Sequence, residues 1–513
     1  MKMDATGRVI LNTAVNYAAL LVKMAVGLFT VRFILQALGE SDYGLYVAVA
    51  GVVGLLDILN ANMTSTSMRF LAHSLGSGDM VKVKKTFNST LYIHYLIGFI
   101  TVLVMEIGGL LLLTYVLNIP SGKIIDAHII FQFMVITMFI TVIAVPYDSV
   151  MNAHERIWML SLFDIFGTLL SLSLAIYLLY SNGNRLIQYG FCLMMIQIIL
   201  RLLKATYSKR HFEECRNVSL KDRDKEYIKS ILSFTGWNLF GSIASSFSHH
   251  LRGIIINIFF GVRLNASEGI SRRINNYVNM VSTSMTRAVN PQIMKSEGVG
   301  DREKMVRITE KASKYSSFLF ALIGVPFAIE APFIVKIWLK NVPEYAVIFS
   351  QLSMITMLVS KFTFQIVHAI QAVGKIRDFQ LVETLMVLLP LPIAYFMFKA
   401  GYPPVTIYYI GLFINIPIII FRFYFGKKIA SMDIGHFVKY GILSTLIPLI
   451  LAGGVLALYI HFVPQSPMRA LGSFLIYDIV FTILFYAIGM DNGERKKWKS
   501  MLKPLLLNRQ NKK

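Results

Sequence analysis

Lys23 lies near the middle of the apolar stretch 9–37, and no acidic residue occurs between Asp4 and Glu40. A charge at the centre of hydrocarbon costs about 2.5–3.5 kcal/mol on insertion scales, so Lys23 is expected to face water or protein rather than lipid. On a helix, Asn12, Asn16, Ala19, Gly27 and Thr30 fall within about 40° of Lys23, a small and polar stripe on an otherwise apolar segment. Asn238, Gly241, Ser245, Ser248 and Arg252 make the same kind of stripe in 230–260. Glu268, Arg272, Asn276, Asn279 and Thr283 make a third in 267–293, with Arg273 about 100° off it. Arg69 shares a face with Gly51, Asn62 and Thr66 in 43–70. The candidate interior cations are therefore Lys23, Arg69, Arg252, Arg272, Arg273 and Arg287, lined by Asn12, Asn16, Asn238, Ser245, Asn276, Asn279 and Thr283. This set can do one kind of chemistry well, the recognition of an anion. A guanidinium offers a planar fork to two phosphate oxygens, and a lysine adds a point charge. Glu268 and Arg272 are spaced i, i+4, so their mutual neutralisation is the competing reading. Asp57, the deepest acid, and Glu268 are the candidates for coupling to H+ or Na+.

The elements that must position these residues follow from composition. The chain has 513 residues, 55% hydrophobic and only 15% charged. Its mean hydropathy is +0.60. Apolar stretches of about 20 residues, the length that crosses about 30 Å of hydrocarbon, recur along it. There are about fourteen, at 9–37, 43–70, 88–115, 127–150, 159–180, 186–203, 230–260, 267–293, 314–337, 347–371, 379–398, 405–426, 438–461 and 470–488. Lipid offers backbone amides no partner, so each is expected to be a helix. The net charge of +22 is distributed by side rather than gathered into a nucleic-acid surface. With both termini placed in the cytoplasm, cytoplasmic segments hold 33 Lys and Arg and the opposite loops hold 6. That bias sets the orientation by the positive-inside rule, and the basic loops also suit anionic headgroups. Cys192 in a span and Cys215 in a loop provide no disulfide framework or metal cluster. The first stretch is too long for a signal-peptide core and is read as retained.

Asn62-Met63-Thr64-Ser65-Thr66-Ser67-Met68 returns as Asn279-Met280-Val281-Ser282-Thr283-Ser284-Met285. Each copy is followed by Gly-x-Gly-Asp, at Gly76 to Asp79 and at Gly298 to Asp301. An offset of 222 also pairs Asn16 with Asn238 and Gly39 with Gly261. The charged segment 204–229 follows six spans and is the natural linker of a parallel repeat. The expected organisation is a six-helix lobe over 1–215, a second over 216–430, and two further helices with a basic cytoplasmic tail over 431–513. No phosphate-binding Gly-x-x-x-x-Gly-Lys-Ser/Thr loop, His-Glu-x-x-His or Cys-x-x-Cys occurs, and no outer loop is large enough for a catalytic domain. The chain reads as a transporter rather than an enzyme.

The stretch Leu38-Gly39-Glu40-Ser41-Asp42-Tyr43-Gly44-Leu45-Tyr46, then Arg69-Phe70-Leu71 and Gly78-Asp79, resembles the N-terminal signature of polysaccharide or O-antigen flippases. These belong to the multidrug/oligosaccharidyl-lipid/polysaccharide exporter superfamily. Asn152 to Arg156, Ile337-Trp338-Leu339 and Ala372 to Lys375 are weaker pieces of the same likeness. The resemblance implies an all-α polytopic fold of two six-helix bundles around a V-shaped cavity, plus two C-terminal helices. It implies alternating access in the bacterial inner membrane. The cargo would be undecaprenyl-diphosphate-linked oligosaccharide (an O-antigen, capsule or exopolysaccharide repeat), with the cationic cavity receiving the diphosphate. Polymerase and glycosyltransferase partners are implied too, and no cofactor. The alternatives are an ion-coupled multidrug exporter of the same superfamily and a non-transporting scaffold for glycan assembly. Lys23 stands where the drug-exporting branch often has an acid, which argues against cationic cargo.

Overall fold

The computed structural model describes residues 5–55, 63, 64, 66–68, 70, 71, 74, 75, 78–154, 156–219, 221–224, 227–229, 247, 248, 250–374, 376–496 and 498. Among these residues there is no strand. In chain order the long helices are α1 (Ala5–Gly54), α2 (Met80–Val104), α3 (Ile124–Ala153), α4 (Ile157–Tyr180) and α5 (Arg185–His211). They continue with α6 (His250–Phe260), which is the described end of the stretch 230–260. Then come α7 (Val262–Gly298), α8 (Arg302–Leu339), α9 (Ala346–Val373), α10 (Arg377–Leu388), α11 (Pro390–Lys399) and α12 (Thr406–Ala430). The last two are α13 (Ile434–Phe462) and α14, whose regular part is Pro467–Leu484. Eleven helical segments among the described residues are long and apolar enough to cross a membrane. Among the described residues the expected spans fall on helices: α1 carries the first and the beginning of the second, and α10 with α11 forms one. The polar α7 is long enough to span but is not among the eleven. Apolar side chains cover the outside, as on α12, where Phe413, Ile416, Ile420 and Tyr424 are exposed at helical spacing. Such a surface is at home in lipid.

The duplicated motifs have duplicated geometry. Gly39 breaks α1 at φ 74°, and its counterpart Gly261 separates α6 from α7 at φ 75°. Gly78 and Gly300 share the same left-handed conformation, with φ of 71° and 79°. Glycine adopts this region without the steric penalty of a Cβ. The aspartate that follows caps the next helix in both copies. Asp79 Oδ1 accepts from the amides of Val81 and Lys82 at 2.9 and 3.3 Å, at the start of α2. Asp301 Oδ1 accepts from the Lys304 amide at 3.0 Å, at the start of α8. Gly-x-Gly-Asp is thus a turn-and-cap device used twice.

Two compact units emerge. The first holds Met1–Gly269 with Leu391–Pro404, and the second holds Ile270–Pro390 with Val405–Lys513. The lobes expected from the repeat follow chain order; these units follow packing. In the first unit α1 packs on α3 and α4, and α3 packs on α2 and α5. Its main core includes Val49, Val52, Phe131, Val135 and Ile254. In the second unit α9 lies between α8 and α12, and α14 packs on α8 and α13. Phe318 stacks on Phe485 there, with ring centroids 4.1 Å apart.

The charged linker is docked onto the first unit. Phe212 and Cys215 enter a core with Phe87, Leu91, Tyr147 and Met151. Glu214 is buried and lies 2.7 Å from His154 Nε2, and the His154 ring stacks on Phe212. The amides of Ser219 and Asp224 donate to Asn88 Oδ1 and Ser89 Oγ. Tyr227 donates to the Phe70 carbonyl at 3.0 Å. The hydrogen bond from Lys84 to the exposed Glu213 holds that carboxyl below its ordinary range. Burial, reinforced by the Glu214 carboxylate, pushes the Cys215 thiol up.

Asp79→Ala and Asp301→Ala are each expected to cost about 1 kcal/mol, the worth of an N-cap, measured as a fall in thermal midpoint in detergent. In a Cys192→Ser background, Cys215 should alkylate with iodoacetamide at least about tenfold more slowly than an exposed thiol, because the thiolate is the nucleophile. Denaturation should abolish that protection; equal rates would show that the linker is not docked.

Candidate functional site

In the first unit, Lys23 on α1 meets Asp164 on α4, with Nζ 2.5 Å from Oδ2. Their side chains keep 30% and 47% of their exposure. An ion pair of this kind on two membrane helices is costly in hydrocarbon. The expectation for Lys23 assigned it a wet or protein-lined face, and the structure adds the carboxylate on α4. Thr168, one turn along α4, back-bonds to the Asp164 carbonyl at 2.8 Å.

Arg252 on α6 reaches Glu268 on α7. Its Nε and Nη2 lie 2.9 and 2.8 Å from the same carboxylate oxygen. Glu268 is fully buried. The sequence spacing had suggested Arg272 as the partner of Glu268; the close pair is instead with Arg252, across two helices. Asn257, a turn beyond Arg252, accepts the Asn118 amide at 2.7 Å. Lys23 and Arg252 therefore each carry an acidic partner.

In the second unit, α7 turns a polar face outward. Arg273 and Asn276 are exposed, and Arg272 and Thr283 are partly so. Arg272 has no ion-pair partner among the described residues. Asn279 keeps a buried Oδ1 without a hydrogen bond, and Thr283 donates to the Met280 carbonyl. The side chains of Asn12, Asn16 and Arg287 lie outside the described residues, as do Asp57, Arg69, Asn238 and Ser245 altogether. Arg272, Arg273, Asn276, Asn279 and Thr283 thus share one helix of the second unit, while the Lys23 and Arg252 pairs are separate features of the first.

Of a second face of α7, sequence reasoning had named only Asn290. Ser271, Ser282, Thr286 and Asn290 form a ladder toward α8 and α9. Ser271 meets Ser353 at 3.4 Å, and Ser282 donates to the Ser316 carbonyl at 3.0 Å. Gln365 donates to Thr286 Oγ1 at 2.8 Å. Reasoning also passed over Lys361 on α9, although it stands inside the stretch 347–371 much as Lys23 stands inside its own. Three other charges on these helices are paired. Arg422 on α12 is bound to Glu383 on α10, Lys314 on α8 to Glu494, and Arg469 on α14 to Glu330 on α8.

Exchanging the charges of Lys23 and Asp164 tests the pair. Lys23→Asp alone should lower the yield of folded protein in membranes by placing two acids together. Adding Asp164→Lys should restore it, as read by size-exclusion profile. A double variant no better than the single one would show that the two side chains do not depend on each other.

No protein-family model matches the sequence, and no curated protein matches it either. Solved structures do match. The lipid II flippase MurJ, in an inward closed conformation, aligns with a TM-score of 0.69 at 12% identity, over 93% of this chain and 98% of that one. An inward-facing multidrug resistance MATE family transporter of the MOP superfamily aligns at 0.67 and 16% identity, over 80% of this chain and 98% of that one. A MOP superfamily transporter from Pyrococcus furiosus, described as having a binding pocket of reverse polarity, aligns at 0.57 and 16% identity, over 81% and 94%. At these identities the likeness is one of fold, and the chain has the multi-pass helical fold that these membrane transporters share.

Proposed function

We propose that the protein is a flippase that moves a diphosphate-linked lipid oligosaccharide across the bacterial inner membrane, with both termini in the cytoplasm. One observation carries this reading: α7 exposes Arg273 and Asn276, beside the partly exposed Arg272, on a long helix of a membrane protein. A face of that kind needs water or an anionic ligand, and a diphosphate supplies four or more oxygens to paired guanidinium forks. The fold supports the reading, since one of its structural neighbours is a lipid II flippase. Lys23 and Arg252 contribute differently in this reading. Their partners Asp164 and Glu268 neutralise them, so they shape a polar surface rather than supply net charge. The glycan would lie along that polar surface while the lipid tail stays in the bilayer, and access would alternate between the two repeat lobes. An undecaprenyl carrier and membrane-bound glycan polymerases or glycosyltransferases are the partners this role calls for. The drug-exporter alternative draws on the fold of the MATE neighbours and on the half-exposed Asp164 carboxylate.

Arg272→Gln with Arg273→Gln should lower translocation of a fluorescent diphosphate-linked lipid oligosaccharide in proteoliposomes about tenfold. That is the effect of losing one charge-assisted contact of about 1.5–3 kcal/mol. Both side chains are at least partly exposed, so folded yield should not change. Undiminished translocation would refute the role of α7. Efflux of a cationic dye that depends on Asp164, with no glycan movement, would support the exporter instead.

A further inference from the structure

Lys361 sits within α9 and is 8% exposed, yet no carboxylate pairs with it among the described residues. Its Nζ lies 5.9 Å from the Phe364 ring centroid, and the Arg422 guanidinium lies 5.6 Å from the same ring. Arg422 is buried and already uses Glu383, donating also to Thr363 Oγ1 at 3.2 Å. The other buried charges on the packed helices are spoken for: Lys314 by Glu494, Glu310 by His436 and Glu330 by Arg469. Among the described side chains of α7, the neutral Thr286 and Asn290 meet α9. One ring is therefore flanked by two buried cations, with one carboxylate between them. A buried ammonium without a counter-ion is costly, and lysine can escape the cost by giving up its proton.

The same helix carries a row of polar side chains beyond Lys361. Lys361, Gln365, His368 and Gln371 recur at i, i+4, i+7 and i+10, one side of a helix. Burial relaxes along the row: Gln365 is buried, His368 is partly exposed and Gln371 is exposed. His368 Nδ1 lies 3.2 Å from Gln371 Oε1, and the Asn290 amide lies 3.4 Å from the His368 ring. Gln365 Oε1 and Asn290 Oδ1 are buried acceptors without hydrogen-bond partners. A protonated lysine brings three N–H donors and no acceptor, the complement of those orphaned oxygens.

We infer that Lys361 is a proton-binding site, loaded and unloaded along the Gln365–His368–Gln371 row, and is the group that couples protons to the transport cycle. The ammonium releases its proton through the His368 imidazole to water at the Gln371 end, and the amine regains one by the reverse path. Opening the seam between α7 and α9 to water would favour the charged form, and closing it the neutral form. A conformational change thereby becomes a change in proton affinity. The coupling role rests on the transport reading above; the proton site does not. It differs from the coupling expected at Asp57 or Glu268 in using a base rather than an acid.

The charge state can be read directly in the full-length protein in nanodiscs. Lysine Cε resonances are followed from about pH 5 to 10, and the Lys361 signal is assigned by its loss in Lys361→Met. The expected result is a one-proton transition within this range, with the protonation ratio changing about tenfold per pH unit. His368→Gln should slow proton exchange at Lys361. Lys361→Met, which removes the unpaired charge, should melt at no lower temperature than the native protein at low pH. A Lys361 signal that stays ammonium-like throughout overturns the inference, as does a Lys361→Met variant that melts earlier at every pH. Glycan movement in proteoliposomes with and without a pH gradient separates the two proposals. Translocation with a gradient response that persists in Lys361→Met overturns the coupling role alone. A Lys361 transition in a protein that moves no glycan supports the proton site and refutes the transport reading.

Discussion

Hydrocarbon cannot solvate a charge, and this constraint organises the structure. Lys314 with Glu494, Glu330 with Arg469 and Glu383 with Arg422 join residues that lie far apart in the chain. Removing one partner of such a buried pair leaves the other uncompensated, typically at about 3–5 kcal/mol. These pairs therefore specify which helices meet. Glu330 also accepts from Ser473 at 2.8 Å, so α14 is held to α8 by two polar contacts in an otherwise apolar interface. The residues that escape the rule are the ones to which function is assigned here. Arg272 is partly exposed with no ion-pair partner among the described residues, and Lys361 is buried with no carboxylate beside it among them.

The frame around these charges is built from a small device used twice. A left-handed glycine and a capping aspartate start α2 and α8, and another left-handed glycine ends the first limb of α1 and separates α6 from α7. Backbone punctuation of this kind survives duplication because it depends on single residue types. The charges do not follow the repeat. At the offset of 222, Lys23 corresponds to Ser245 and Thr30 to Arg252.

Much of this was legible beforehand. Gly39 and Gly261 were paired by offset alone, and both proved to be left-handed breaks between helices. The mid-span position singled out Lys23, but its partner Asp164 on α4 could not be read from the sequence. The spacing of Glu268 and Arg272 pointed to a partnership within one helix, whereas Glu268 takes Arg252 from the helix before it. The i, i+4 rule describes an isolated helix surface, and a buried carboxylate is claimed by whichever guanidinium the packing delivers. Ser271, Ser282 and Thr286 were missed for a related reason. Serine and threonine on a helix are ambiguous until the neighbour that receives their hydroxyls is known.

The sequence by itself determined the number and apolarity of the helices, the internal repeat, and the punctuation that starts and stops each segment. These depend on local energies, on chain length against membrane thickness and on single residues with special backbone preferences. Only the tertiary structure decided which cation meets which carboxylate, which face of α7 is exposed, and that Lys361 lies buried with no carboxylate beside it among the described residues. Those outcomes depend on side chains brought together from distant parts of the chain. Electrostatic strength there depends on distance and burial, and neither is written in residue order.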